Sequence, residues 1–270
     1  MFKDKTILII GATGTLGTET IRQLRNYDIH AIRAYARNEH KMWQLRQQFG
    51  EENMRYFIGD ICNKDRLDMA FTGADIVINY AAIKHVKMCN ENPFMALQTN
   101  VIGVQNALEC AVKHNIDLFM QMSTDKAVNP INIYGCTKAM AEHLTLQAKE
   151  WQGDNRTRFL VVRSGNVIGS SGSVIETWAK QKEQGLPLTV TDMEAERYMA
   201  EKEKIVSAIL NTVQRNLNGL VVLSLPKHKI KDLLKQFKPC KTQIIGLQEG
   251  EKQAEELWRE GEKFHLVEVI

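Results

Sequence analysis

Three observations predict an α/β fold with a doubly wound parallel sheet. Short β-branched apolar runs alternate with helix-like stretches from the first residues. A glycine-rich loop follows the first apolar run and opens a helix. The alternation holds to about Val167, where the pattern changes. Thr6–Ile10 reads as a buried strand and 15–26 as the helix after it. Ile29–Tyr35 is a second strand, followed by a helix over His40–Phe49. Met54–Ile58 is a third strand, ending in Gly59-Asp60, and Ile76–Tyr80 a fourth. A helix covers about Pro93–His114. Leu118–Met122 is a fifth strand, a helix runs from Tyr134 to Glu150, and Phe159–Arg163 is a sixth strand. Such alternation implies βαβ units, with helices on both faces of the sheet. A ligand then belongs at the carboxyl ends of the strands, at a topological switch point.

Beyond Val167 the chain is Gly-, Ser- and Thr-rich to 191, then charged and helix-like over 192–216. Leu220–Leu223 reads as one more strand, 228–238 as a small amphipathic helix and 249–263 as a strongly charged one. We therefore expect residues 1–166 to form the main domain and 167–270 a small C-terminal lobe interleaved with it.

Composition narrows the function classes. The 270 residues are 44% hydrophobic and 25% charged, which excludes wholesale disorder, collagen or a coiled-coil rod. Thirty-five Lys and Arg against 32 Asp and Glu give a net charge of +3 with the signs mixed, unlike the basic stripe of a nucleic-acid binder. No apolar run reaches the ~18 residues of a membrane span, and the N-terminal run is too short for a signal peptide. Five cysteines, none in a C-x-x-C pair, argue against a disulfide framework or a metal site and fit a reducing, cytoplasmic setting.

The first loop reads Gly11-Ala12-Thr13-Gly14-Thr15-Leu16-Gly17. Glycines let the backbone turn tightly and approach a pyrophosphate, while the helix start offers free N–H groups and partial positive charge. Between a strand and a helix, this marks a Rossmann-like dinucleotide site. An acidic residue ending the second strand would select NAD. Arg37 stands there instead, followed by Asn38 and, one turn on, Lys41. Arg37 and Lys41 either read the 2′-phosphate of NADP, the reading we favour, or are surface cations. Asp60, followed by Ile61, either accepts the adenine amino group or caps the next helix.

Tyr134 and Lys138 lie four apart at a helix start, on one face. An ammonium near a phenol lowers its pKa and makes it a usable base. Ser123-Thr124-Asp125-Lys126 ends the fifth strand, where an Asp-Lys pair would face a bound nicotinamide.

With these residues assembled, the chain resembles an extended short-chain dehydrogenase/reductase, and more narrowly the inverting UDP-N-acetylglucosamine 4,6-dehydratases. The resemblance rests on the glycine loop, Ala81-Ala82-Ile83-Lys84-His85-Val86, Asn92-Pro93, Thr99-Asn100-Val101, Ser123 to Lys138 and Arg163 to Val167. Gly172 to Ile175, Thr191-Asp192 with Arg197, and Gly250-Glu251-Lys252 extend it. It implies that the cofactor NADP is held by Gly11, Thr13, Gly14, Thr15, Leu16, Gly17, Arg37, Asn38, Lys41, Asp60, Ile61, Ala81, Ala82, Lys84, Tyr134 and Lys138. It also implies that Tyr134 takes the sugar 4-OH proton as C4 gives up a hydride, with Thr124 bonded to the same oxygen. Lys126 would take the C5 proton, its pKa depressed beside a cationic nicotinamide, and Asp125 would protonate the departing C6 hydroxyl. Lys84, Asn166 and Arg197 would contact the nucleotide-sugar substrate, and the small lobe would be a substrate lobe. A homo-oligomer, dimer or hexamer, is the implied assembly.

The chain departs from that family in the expected lobe. Ser171 stands where the family has Arg and Glu176 where it has Pro. Gln248-Glu249 replaces Arg-Pro before Gly250, and Met199-Ala200-Glu201-Lys202 replaces an apolar-Thr-Leu segment. These changes put the identity of the nucleotide sugar in question more than the reaction. Two alternatives follow: an epimerase or reductase on the same scaffold, and a catalytically idle NADP-binding protein.

Overall fold

A computed structural model describes residues 1–170, 172–237 and 239–269. In chain order the elements are β1 (Thr6–Ile10), α1 (Thr15–Leu24), β2 (Ala31–Ala36), α2 (Glu39–Phe49), β3 (Met54–Ile58), α3 (Lys64–Phe71), β4 (Ile76–Asn79), α4 (Val86–Glu91), α5 (Pro93–Leu97), α6 (Gly103–Lys113), β5 (Leu118–Thr124), α7 (Ile133–Trp151) and β6 (Arg158–Ser164). They continue as β7 (Asn166–Ile168), α8 (Val174–Glu183), β8 (Leu188–Val190), β9 (Glu196–Glu201), α9 (Lys202–Gln214), β10 (Gly219–Ser224), β11 (Lys227–Lys229), α10 (Ile230–Leu233), β12 (Thr242–Ile244) and β13 (His265–Glu268).

Eight strands form one parallel sheet in the order β13-β10-β6-β5-β4-β1-β2-β3. The order reverses between β1 and β4, so the switch point lies above the glycine loop. Alternate residues of β1 enter opposite layers. Ile7 and Ile9 pack with Ile21 and Leu24 of α1 and Ile205 and Ile209 of α9. Leu8 and Ile10 pack with Leu67 and Phe71 of α3 and Val104 and Leu108 of α6. Both faces of the sheet are covered, which is why its strands read as continuous apolar runs.

The sequence places the main strands within two residues. Four helical expectations fail. The long helix expected over Pro93–His114 is broken by a π-helical turn at Gln98–Ile102, a feature that reorients side chains at functional positions. The segment 192–216 is not one helix: Glu196–Glu201 is strand β9, held between β7 and β11, and only then does α9 begin. Of 228–238, Lys238 lies outside the described residues; the rest is the end of β11, the short α10 and a 3-10 turn. No described residue of 249–263 is helical. Charged residues there bond across to other loops rather than along a helix, so tertiary contacts override propensity.

The chain after residue 166 is shared between two bodies. The helix α9 and strands β10 and β13 complete the main sheet and its layers. The remaining elements enclose a small separate core around Trp178, Leu188, Val190, Met199, Ile230 and Leu233. Trp178 Nε1 donates to Thr189 O at 2.7 Å and ties α8 to β8.

Candidate active site

The glycine loop has no room for side chains. A Cβ on Gly17 would lie 2.5 Å from Gly11 O, and one on Gly11 2.9 Å from Ala81 N; Gly11 also has φ +82°. Gly14 is the N-cap of α1, with extended backbone and no side chain to bond the first turn. Thr13, Gly14 and Thr15 line a cleft with Arg22, Gly169 and Lys202. Ala81 N is held by Asn79 Oδ1 at 3.0 Å, which fixes the Ala81-Ala82 turn against the loop. A cradle of bare backbone, a helix start capped by glycine and the nearby cations Arg22 and Lys202 fit the diphosphate of a dinucleotide.

At the end of β2, Arg37 is exposed and its guanidinium lies 3.7 Å from Asp60 Oδ2. Asn38 caps α2, its Oδ1 accepting from Lys41 N at 2.8 Å. Asp60 Oδ1 accepts from Cys62 N at 2.9 Å, whereas the cap of α3 is Asn63. Asp60 therefore shapes the turn before the helix rather than capping it. Ile61 is buried beneath Gly103, where a Cβ would meet its side chain.

The catalytic candidates converge where β5 ends. Thr124 Oγ1 donates to Asp125 Oδ1 at 2.8 Å, and Lys126 Nζ donates to the same oxygen at 3.0 Å. Asp125 is fully buried and its Oδ2 has no partner. Lys126 Nζ also donates to Asn166 Oδ1 at 3.2 Å, so β7 delivers Asn166 to the same cluster. Tyr134, at the start of α7, faces Thr124, Asp125 and Lys126. The helix is set there by Asn132, whose Oδ1 accepts from Gly135 N at 2.7 Å. Gly135 is needed because a Cβ would lie 2.2 Å from Lys126 O. Thus Thr124, Asp125, Lys126 and Asn166 form one bonded group, with Tyr134 facing it.

Two electrostatic expectations need correction. Burial pushes the Tyr134 phenol up to about 12, with Lys126 and the Thr124 hydroxyl opposing it. The cation acting on the phenol is thus Lys126 and not Lys138. Lys138 Nζ instead donates to Met122 O, and its burial pulls it down to about 8 against the pull of Glu142. Lys126 is not depressed either. Burial disfavours its charge, but Asp125 and Glu255 together hold the ammonium above its ordinary range.

The other expected substrate contacts, Lys84 and Arg197, interact with residues outside this group. Lys84, on the loop after β4, has its pKa lowered by burial, opposed by Glu176. That loop is fixed by the buried Asn100 of the π-helical turn, which accepts from Ile83 N at 2.8 Å and donates to Ile83 O at 3.0 Å. Arg197 Nη1 donates to Gln253 O at 3.0 Å and joins the lobe to the C-terminal segment rather than to Lys126. Ser171 lies outside the described residues.

Sequence reasoning missed that segment's part in the site. Residues 248–262 form a strap across the loop that holds Asp125 to Asn132. Lys252 Nζ donates to Val128 O at 2.6 Å, Arg259 Nη2 to Ala127 O at 2.9 Å and Asn132 Nδ2 to Gly250 O at 2.7 Å. The strap is anchored by the buried Arg163, whose guanidinium bonds Glu142, Glu262 and Leu257 O. It brings the buried Glu255 to 3.6 Å from Lys126 Nζ. The only signal in the sequence was the Gly250-Glu251-Lys252 motif, which says nothing of Glu255.

The profile of polysaccharide biosynthesis proteins matches residues 7–269. The chain belongs to this family. This polysaccharide biosynthesis protein family member is an extended short-chain dehydrogenase/reductase. It is 38% identical over 256 residues to a UDP-N-acetylglucosamine 4,6-dehydratase (inverting) of Campylobacter jejuni, covering 93% of this chain and 77% of that one. It is 34% identical over 267 residues to a UDP-glucose 4-epimerase of Rickettsia canadensis, covering 95% and 78%. Among solved structures, Pen from Bacillus thuringiensis matches with a TM-score of 0.91 and 35% identity, over 96% of this chain and 84% of that one. The family member is thus related to enzymes of nucleotide-sugar metabolism. Among the described residues no helix is long and apolar enough to cross a membrane, and no group of His, Cys, Asp and Glu is placed to hold a metal ion.

Proposed function

We propose that this protein is a cytoplasmic, NADP-dependent nucleotide-sugar 4,6-dehydratase, acting on UDP-N-acetylglucosamine with inversion at C5. The observation that carries the reading is the bonded group Thr124-Asp125-Lys126, with Tyr134 facing it, at the carboxyl end of β5, the same edge of the sheet from which the glycine loop leaves β1. A 4-epimerase needs no base at C5, so an Asp-Lys pair in this place supports dehydration.

When bound, the dinucleotide would supply the acceptor of the C4 hydride and, once reduced, its donor. Gly11, Thr13, Gly14, Thr15, Leu16 and Gly17 hold its diphosphate, Arg37, Asn38 and Lys41 the 2′-phosphate end, and Asp60 and Ile61 the adenine end. Ala81, Ala82, Lys84 and Lys138 complete that site. Tyr134 takes the proton from the sugar 4-OH, with Thr124 bonded to the same oxygen. Once C4 is a ketone, the C5 proton is acidic and Lys126 removes it. Asp125, which can receive the proton of the Lys126 ammonium over their 3.0 Å hydrogen bond and has one oxygen free of partners, gives that proton to the departing C6 hydroxyl. Lys84, Asn166 and Arg197 orient the nucleotide sugar beneath the small lobe. The protein acts as a homo-oligomer, which fits the exposed Phe94, Met95, Leu97 and Met140 on α5 and α7.

The 4-epimerase reading keeps one observation in its favour: Lys126 is held as an ammonium by Asp125 and Glu255, the wrong form for a base. Incubation with UDP-N-acetylglucosamine, followed by proton NMR, separates the two. A new 6-methyl doublet without net cofactor reduction supports the dehydratase. A C4-inverted sugar that keeps its C6 hydroxyl supports the epimerase.

A further inference from the structure

Glu255 is the one carboxylate of the cluster that the mechanism above leaves unused. It is 4% exposed, and its Oε2 has no hydrogen-bond partner. Its neighbours are two ammonium groups: Lys126 Nζ at 3.6 Å and Lys252 Nζ at 3.7 Å. A carboxylate buried only to brace the strap should be fully bonded, as Glu262 is by Arg163 and by Arg259 N. Lys252 already braces the strap through Val128 O. Leaving a buried carboxylate oxygen without a donor is costly, and such groups concentrate at functional sites.

The groups facing Lys126 come from four directions. Asp125 is beside it on the same turn, Asn166 reaches it from β7, Tyr134 lies on α7, and Glu255 closes it from the strap. Asp125 and Asn166 hold Nζ by hydrogen bonds. Glu255 holds it by charge alone.

We propose that Glu255 is the positioning residue of Lys126: from the strap it fixes Nζ and governs when that nitrogen is free to take a proton. The proposal deepens the dehydratase reading and rests on it for the role of Lys126 as base. Removing the negative charge removes an attraction that favours the ammonium, so Lys126 should become an amine at lower pH. The acid limb of C5 exchange should move the same way.

The test is a direct titration of Lys126 in the whole protein without substrate. The 13Cε signal of Lys126 is assigned with Lys126→Ala and followed with pH in wild type, Glu255→Gln and Glu255→Asp. A midpoint lower by about one unit or more in Glu255→Gln, restored in the charge-keeping Glu255→Asp, supports the proposal. An unmoved midpoint in a folded Glu255→Gln overturns it. If Glu255→Gln does not fold, Lys252→Met decides: the loss of a competing cation should raise the Lys126 midpoint, and no change overturns the pairing. Deuterium exchange at C5 is then followed with pH. A shifted midpoint with no exchange in either protein overturns the dehydratase reading and leaves the pairing intact.

Discussion

Replacing Arg163 with Met should destabilise the protein by about 3–5 kcal/mol, the range for breaking a buried charge pair from one side. The size follows from the surroundings. The Arg163 side chain is 1% exposed and makes two hydrogen bonds to Glu142, at 2.9 and 2.6 Å, and two to Glu262, at 2.7 and 3.0 Å. A fifth bond, at 2.9 Å, goes to Leu257 O. Glu142 is 6% exposed on its side chain and would keep a buried charge without a partner. Glu262, nearer the rim, can recover water. For a chain of this size about 1 kcal/mol moves Tm by roughly 2–4 °C, so Tm should fall by about 6–20 °C. Differential scanning calorimetry and urea unfolding measure it. Removing both partners, Arg163→Met with Glu142→Leu, should return most of the loss, because the orphaned charge goes too. A loss below about 1 kcal/mol in the single variant, or no recovery in the double, would refute the account of the anchor.

Three further predictions follow from single residues. Lys138 binds its proton less tightly when folded, at about 8 against an ordinary 10.5, so the unfolded chain holds more protons between those values and stability should rise with pH across that window. The rise is about 3 kcal/mol and should be missing from Lys138→Met in paired urea titrations at pH 7.5 and 10.5. Gly17→Ala puts a Cβ against the backbone of Gly11 and Ala12; it should cost about 1–3 kcal/mol and abolish dinucleotide binding by calorimetry. Arg37→Ala should weaken NADP about tenfold to a hundredfold with NAD little changed, and equal losses would remove Arg37 from the 2′-phosphate.

The sheet was legible because its strands are buried on both faces, so Ile7 to Ile10 or Phe159 to Val162 carry their own signal. Thr124 to Lys138 was legible for a different reason: one strand end, one turn and one helix start place those residues together without long-range folding. Asn166 came into view only through resemblance, yet the structure bonds it to Lys126. What the sequence hid depends on contacts far along the chain. The charged stretch 249–263 looks helical because its charges suit an exposed helix. Its partners, Val128, Ala127, Asn132 and Arg163, decide otherwise. The pKa directions were hidden for the same reason. Lys126 is set by Glu255 as well as by its neighbour Asp125, and Lys138 turns to Met122 O rather than to the phenol.

The most direct test of the central claim is deuterium incorporation at C5 of UDP-N-acetylglucosamine in D2O, wild type against Lys126→Ala. The account predicts rapid incorporation in the wild type, with the methyl product inverted at C5. In Lys126→Ala it predicts at least about a thousandfold slower incorporation, with dinucleotide affinity unchanged. Equal incorporation in both proteins would contradict it and remove Lys126 from the chemistry at C5.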